Sequence, residues 1–510
     1  LKRLLRFGVF PRFARLPTAV LLAALTFALC FLWIERLPLF EWDESRHAVN
    51  AWEMMWSKDF FNYTFAGEPD RWNAKPQFLV WLIVAGYEIF GARELAVRWP
   101  SAVASCVTAF VMYRWLRLWF SREAAVLGVV SALTMRGVVG YHVGRTGDMD
   151  ALFVAFVMLA LFLLQKAMNA LQDPKKPEPT RFGRGAQALF VASGFALGFA
   201  FLAKGFAIGL VLPGFACLLF IRPQPHGSPL RQPRWSGVLS FLMAAAVCPL
   251  LWIVAQATQG FVHQETVFGA RSQLGTMIVY DVLQRVRGGV DGAPGGFDGG
   301  YLFRQLDVLA SPWGYLFFLG LALLLASPRF RGSLRGRFRP GEPLYVAVCM
   351  LLPSALLLML MRHKLPWYMA PLLPFVALAT VTFVVESWKL WPRWTCGVVI
   401  PLALFALGRQ ILTVSKVSDA STRTWFQVHA QKLKDAQSVK VLTPLRQDEY
   451  AYLSWARRGV KLEALSTENK DAPHIEDVKR RPLLMTCTPS ITLQGELLNG
   501  AACVVTRVLK

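Results

Sequence analysis

The chain has 510 residues, of which 55% are hydrophobic and only 17% charged, with a mean hydropathy of +0.40; soluble proteins carry about a quarter charged residues. The 13% aromatic content, the 38 glycines without a three-residue period and the eight cysteines exclude disorder, collagen and a disulfide scaffold. What remains is an all-α polytopic membrane protein, and the net charge of +23 can be placed in its loops without a nucleic-acid partner.

In chain order, apolar runs bounded by charges predict eleven spans: 17–34, 98–116, 123–141, 149–168, 186–203, 206–221, 237–257, 311–327, 343–361, 366–386 and 394–412. The basic start followed by the first run lacks a small-residue cleavage site after residue 34 and is read as a retained helix. A shorter run, Phe78 to Phe90, is broken by Gly86 and Glu88. If it lies in the interface rather than crossing, the connections 1–16, 114–122, 169–185, 222–236, 328–342 and 387–393 all fall on one side. Together they hold 22 basic and three acidic residues. The positive-inside rule then makes that side cytoplasmic and puts loops 35–97, 142–148 and 258–310, the segment 362–365 and the C-terminus on the other.

Residues 1–411 read as the membrane domain. From 412 to 510 the texture changes: strand-length apolar runs at Val439–Leu442, Val460–Leu465, Pro482–Thr486 and Cys503–Leu509 alternate with polar helical patterns, as in a small extramembrane α/β domain. A Cys487–Cys503 disulfide is left open; the other six cysteines lie inside spans as small packing residues. Seven glycines in 288–300, without a Gly-Lys-Ser/Thr, reject a nucleotide P-loop and suit either a lid or an irregular loop.

The chemistry concentrates on the outer side. Loop 35–75 carries eight carboxylates against five basic residues, among them Asp43, Glu44, Arg46 and His47 just beyond the first span, then Lys75 before Pro76. A carboxylate there suits a general base or a metal ligand, and a Lys at headgroup depth suits a phosphate; helix-end solvation and snorkelling are the plain alternatives. His142, Arg145, Asp148 and Asp150 crowd one short connection, more polar groups than a helix boundary needs. Lys204 and the run Arg362-His363-Lys364 add cations. Carboxylates ringed by Lys and Arg describe a site for an anionic headgroup handled beside a base. No His-Glu-x-x-His or Cys-x-x-Cys pair is present. No cofactor is therefore assigned, and a divalent metal ion is left open.

The ordered set Asp43-Glu44-x-Arg46, Lys75-Pro76 with Trp81, Arg98-Trp99-Pro100-Ser101, Arg145 with Asp150, Lys204-Gly205 and Lys364-Leu365-Pro366-x-Tyr368-x-x-Pro371 resembles the GT-C glycosyltransferases of the protein O-mannosyltransferase and aminoarabinose transferase type. The resemblance covers roughly residues 17–390. It implies a GT-C membrane enzyme that moves a sugar, with inversion, from a polyprenyl-phosphate carrier to an envelope acceptor, a glycolipid such as lipid A rather than a protein. By position it implies Asp43, Glu44 and Asp150 as catalytic residues and Arg46, Lys75 and Arg145 as donor phosphate ligands. Lys204, Lys364, Tyr368, His142 and Asp148 would line the carrier and substrate path. Ala74 stands where the aminoarabinose branch places a Glu, and His47 where it places a Tyr, so the donor sugar stays open. The expected setting is a bacterial inner membrane, with the active site and the C-terminal domain periplasmic. A lipid-linked sugar transporter without transfer chemistry is the rival from another class, and few ionisable residues at mid-span weigh against it.

Overall fold

The computed structural model describes residues 18–140, 142–171, 184–220, 235–267, 269–287 and 298–415, with short pieces at 440–441, 451–452, 454–455 and 485–486. The chain opens with α1 (Thr18–Phe31), α2 (Asp43–Ser57), the two-residue hairpin strands β1 (Thr64–Phe65) and β2 (Glu68–Pro69), α3 (Phe78–Phe90) and α4 (Glu94–Leu116). Next come α5 (Arg122–Leu133), a single turn α6 (Arg136–Val139), α7 (Asp150–Leu171) and α8 (Arg184–Lys204). A 3-10 turn (Gly205–Leu210), α9 (Leu212–Phe220) and α10 (Trp235–Gln259) follow.

The next loop forms a hairpin of β3 (Val262–Val267) and β4 (Ala270–Ser272), then α11 (Gln273–Thr276), a π-helix (Met277–Gln284) and α12 (Arg285–Arg287). After it come α13 (Tyr301–Ala310), α14 (Trp313–Ala326), α15 (Pro328–Arg335), α16 (Pro343–Leu360), a 3-10 turn (Pro366–Leu372), α17 (Leu373–Leu390) and α18 (Pro392–Ser415). In the tail, β5 (Lys440–Val441) pairs antiparallel with β6 (Met485–Thr486). The rest of the expected α/β domain, Cys487 and Cys503, the basic start and most of the glycine-rich stretch lie outside the described residues.

Every expected apolar run holds a helix, but not every helix is a span. Among the described residues seven are long and apolar enough to cross a membrane, or eight if α14 and α15, bent by 105°, count as one. The shortfall from eleven has local causes. The 123–141 run splits because α5 stops at Thr134 and Met135 is extended before α6. The 206–221 run begins as a 3-10 turn behind Gly205, whose φ of +59° breaks the helix. α1 and α3 are apolar but have only 14 and 13 residues.

The surface matches a lipid solvent. α10 exposes Leu239, Leu242, Met243, Leu250, Leu251 and Val254, and α18 exposes Leu404, Phe405 and Leu412, which water would not tolerate on this scale. The chain is an integral, multi-pass membrane protein. α7 packs along α8 and α8 along α10, while α17 is buried continuously from Leu373 to Phe383. At the far end of α17 the buried Glu386 accepts from Arg337 (2.8 Å), from Lys389 (2.7 Å) and from Ser333, tying α15 to the bundle.

α3 is half sunk in the protein. Leu79, Val80, Ile83, Val84 and Tyr87 are buried against α2 and α4, while Ile89 is exposed. A Cβ on Gly86 would sit 2.5 Å from the Ala96 carbonyl and 2.6 Å from the Trp99 indole, so only glycine lets α3 approach α4 this closely. The glycine that breaks the apolar run in sequence therefore builds the packing beneath the candidate site.

Candidate functional site

The site is anchored by a buried ion pair. Arg98, 1% exposed on α4, donates from Nε and Nη2 to Glu44 (2.7 and 2.9 Å). It also donates to the carbonyls of Ile34, Leu37 and Pro38 (2.7, 2.8 and 2.7 Å). Glu44 in turn accepts from the backbone N–H groups of Phe40 and Gly147, both at 2.7 Å. One carboxylate and one guanidinium thus join the segment 34–40, the first turn of α2 and the connection before α7. Gly147 has no room for a side chain, since a Cβ would meet Val97 at 2.4 Å.

This knot aims the residue beside Glu44. Asp43 opens α2 after Trp42, whose φ of 77° and ψ of −120° are strained for a bulky residue. Asp43 faces a cavity of about 950 Å³. Among the described residues its carboxylate takes part in no hydrogen bond, and it lies with His142 and Asp148 so that one donor atom of each falls within 4.8 Å of the others. These three could hold a metal ion. His142, itself at φ 61°, stacks on Trp367 (4.0 Å, 24°) and places Nδ1 3.4 Å from the Asp148 carboxylate. Burial alone would lower the His142 pKa, but Asp148, then Asp43 and Asp150, outweigh it and raise it. Burial would likewise raise Asp148, and the bond and charge of His142, with His47 and Thr146, together more than reverse that.

Cations occupy the other walls, each already paired. Arg46, one turn into α2, grips the buried Asp70 with two bonds of 2.7 Å. Despite burial, that pair, with Asn50 and the Asn73 N–H, holds the Asp70 carboxyl below its ordinary range. Lys204, at the end of α8, forms an ion pair with Asp150 at the start of α7 and lies over the Tyr368 ring at 5.6 Å. Lys75 stands 3.9 Å from Asp281, which also accepts from Arg285 Nε at 3.2 Å. Arg285 donates further to the Tyr368 hydroxyl and lies 4.9 Å over Tyr280. Between the charges runs an apolar wall of Phe153, Phe206, Leu210, Leu357, Leu358 and Met361. A cavity that combines carboxylates, cations and a greasy wall suits an amphiphile with an anionic head.

The residues expected from sequence divide clearly. Asp43, Arg46, Lys75, His142, Asp148, Asp150, Lys204 and Tyr368 line this cavity; Glu44, Arg145 and Lys364 do not. Glu44 is consumed by Arg98. Arg145 turns the other way and donates to the carbonyls of Leu29 and Leu32 (both 2.8 Å), closing the end of α1; burial pulls its guanidinium down to about 10. Lys364 lies over the Tyr301 ring at 5.9 Å. Sequence reasoning missed Tyr280, Asp281, Arg285 and Trp367. The only signal for the first three was an Asp and an Arg four apart in the outer loop 258–310.

Comparison with known proteins bears on this arrangement. The family model described as dolichyl-phosphate-mannose-protein mannosyltransferase matches residues 74–253. The undecaprenyl phosphate-alpha-4-amino-4-deoxy-L-arabinose arabinosyl transferase of Edwardsiella ictaluri is 28% identical over 228 residues, 43% of this chain and 36% of that protein. The Pseudomonas aeruginosa (strain LESB58) transferase of the same name is 26% identical over 348 residues, 66% of this chain and 54% of its own length. The matches thus span about a third to a half of these curated relatives. The crystal structure of ArnT from Cupriavidus metallidurans bound to undecaprenyl phosphate superposes with a TM-score of 0.63 at 16% identity, over 89% of this chain and 86% of that one. Residues 74–253 thus carry the pattern of that mannosyltransferase family, and the chain as a whole shares the fold of ArnT.

Proposed function

We propose that the protein transfers a glycosyl group from a polyprenyl-phosphate carrier to an envelope glycolipid, lipid A being the acceptor that the sequence resemblance implies, at the periplasmic face of a bacterial inner membrane. The observation that carries this reading is one cavity that Asp43, whose carboxylate has no hydrogen bond among the described residues, shares with Lys75, Arg285, Lys204 and an apolar wall. The carrier's chain would lie along Phe206, Leu210, Leu357 and Met361, and its phosphate would meet Lys75 and Arg285, with Tyr368 beside them.

The chemistry then follows from charge. The acceptor hydroxyl gives its proton to Asp43 as its oxygen bonds to the anomeric carbon, and the bond from that carbon to the phosphate oxygen breaks, leaving polyprenyl phosphate. A single displacement inverts the anomeric centre. Charge builds on the leaving phosphate, where fixed cations stabilise it; losing one such contact typically costs ~10²–10³ in kcat. Asp150 holds Lys204 in the wall, and Arg46, locked by Asp70, faces the cavity edge as a permanent positive field. Glu44 and Arg145 act on this reading as anchors of the scaffold, and Lys364 as a cation near the carrier's entry.

The carboxylates of Asp43 and Asp148 with the His142 imidazole are a donor set that suits a divalent cation. Bound there, it would polarise the acceptor oxygen. The division into a membrane domain to residue 411 and a tail domain from 412, with a cytoplasmic N-terminus, completes the proposal. No observation favours transport without transfer.

The test is Asp43→Asn in membranes, read by mass spectrometry of envelope lipids with and without the protein. The expected variant folds, retains the carrier and transfers no sugar. Turnover at the wild-type rate would remove Asp43 from the reaction.

A further inference from the structure

Among the described residues, the tail reaches back into the membrane domain at 451–452 and 454–455. These residues pack onto the outer end of the bundle, with Ala451, Tyr452 and Ser454 all buried. The Tyr452 hydroxyl accepts from the Leu39 N–H (2.8 Å) and donates to Glu94 (2.9 Å) at the start of α4. Burial, then Glu94, push this phenol far above its ordinary pKa, so it stays a donor throughout the working range. The Trp455 indole donates to the Tyr87 hydroxyl (3.2 Å), which itself donates to the Ala48 carbonyl of α2 (2.9 Å). Edge-on aromatic contacts continue the line from Tyr452 to Trp455 (5.3 Å), Tyr87 (6.0 Å) and Trp52 (5.4 Å).

What the tail grips is the segment that positions Asp43. Leu39 adjoins Phe40, whose N–H caps Glu44 and whose carbonyl accepts from Ser45. The preceding carbonyls of Ile34, Leu37 and Pro38 hold Arg98. That segment has no regular structure of its own, so its conformation depends on Arg98 from one side and on Tyr452 from the other. A residue more than four hundred positions away in sequence thereby closes the cage around the first turn of α2.

We infer that Tyr452, supported by Trp455, is a positioning residue for the Asp43 carboxylate, so that docking of the tail segment sets the competence of the active site. This rests on the reading of Asp43 as the base. Removing the phenol hydroxyl leaves the Leu39 N–H without its acceptor, takes one donor from Glu94 and lets 34–40 relax, and a displacement of about 1 Å at a reacting group lowers turnover by ~10²-fold.

The experiment uses the full-length protein in detergent with Tyr452→Phe, Tyr452→Ala and Trp455→Ala. Hydrogen exchange across 36–46 is measured beside kcat and donor KM, with amides of α16 and α17 as internal references. Expected are faster exchange in 36–46 by about tenfold in Tyr452→Phe and more in Tyr452→Ala, with α16 and α17 unchanged. kcat falls in the same order while donor KM stays within about twofold. Tyr452→Phe retains the ring and guards against a variant that simply fails to fold. Unchanged exchange in 36–46 in both Tyr452 variants overturns the inference, as does faster exchange with wild-type kcat. The exchange arm does not depend on the reaction. If Asp43→Asn keeps full turnover the functional reading fails instead, whatever the exchange shows.

Discussion

Glu44 is the residue on which the structure and the motif part company, and replacing it with Gln separates anchor from catalyst. Its Oε1 takes Arg98 Nε and the Gly147 N–H, and its Oε2 takes Arg98 Nη2 and the Phe40 N–H. Whichever way a glutamine amide turns, its NH2 faces two donors. Arg98 is left at 1% exposure without a counter-charge. Breaking a buried pair from one side costs about 3–5 kcal/mol, roughly a 10²–10⁴-fold change in the folded-to-unfolded ratio. The expected outcome for Glu44→Gln is a lower unfolding temperature in detergent and faster proteolysis between α1 and α2, with turnover lost because Asp43 is no longer held. The double variant Glu44→Met, Arg98→Met removes both charges and should recover most of the stability but not the turnover, since the carbonyls of 34–38 lose their donor. A Glu44→Gln protein as stable as wild type and yet inactive would refute the anchor role and return Glu44 to the chemistry.

The other predictions are more direct. Arg285→Ala and Lys75→Ala should each lower kcat/KM for the lipid-linked donor by ~10²-fold through lost phosphate stabilisation, whereas Arg145→Ala should lower stability and leave donor KM unchanged; steady-state kinetics and thermal unfolding on all three decide. Asp70 has a depressed carboxyl pKa in the folded state, so its pairing with Arg46 stabilises the protein fully above the unfolded carboxylate pKa of about 3.9 and the gain is lost as pH falls through the folded value. An Asp70→Asn variant should therefore be less stable than wild type at pH 7 and differ least near pH 2. Asp281→Asn should tighten binding of polyprenyl phosphate by about fivefold, as one partly buried competing charge is removed; weaker binding would show that Asp281 helps to build the phosphate site.

The spans were legible because charge punctuates them: every expected run contains a helix, and the boundaries at Glu94, Asp150, Lys204 and Pro392 fall near charged or proline residues. Their number was less legible, since Arg136 and Gly137 after Met135, and Lys204 with Gly205, mark breaks without saying whether the chain turns or crosses there. The cavity residues were visible as dense polar motifs at helix ends. Which way each side chain turns was not: Arg145 is three residues from Asp148, yet it bonds to Leu29, 116 positions earlier. Arg285 was invisible for the opposite reason. It belongs to a loop without apolar periodicity and owes its place to a π-helical turn that sets Tyr280, Asp281 and Arg285 against Tyr368.

These placements change what the strong positive charge means at the site. The cavity is not an open basic patch, because Arg46, Lys75, Lys204 and Arg285 each face a carboxylate. An incoming phosphate must therefore replace an internal anion rather than fill an empty field. Asp70 cannot yield, being buried behind a two-bond clamp and further hydrogen bonds from Asn50 and Asn73. Asp150 is held at the start of α7, inside the bundle. Asp281 is different: it sits on the loop between α10 and α13, its gap to Lys75 is 3.9 Å, and both partners are partly exposed. It is thus the carboxylate whose displacement costs least. Because Asp281 also pairs with Arg285, a phosphate taking its place would, on the proposed reading, meet Lys75 and Arg285 together. On the same reading, the two cations that would bind the donor phosphate are the ones that would stabilise its departure, and their pairing with Asp281 holds them in position beforehand.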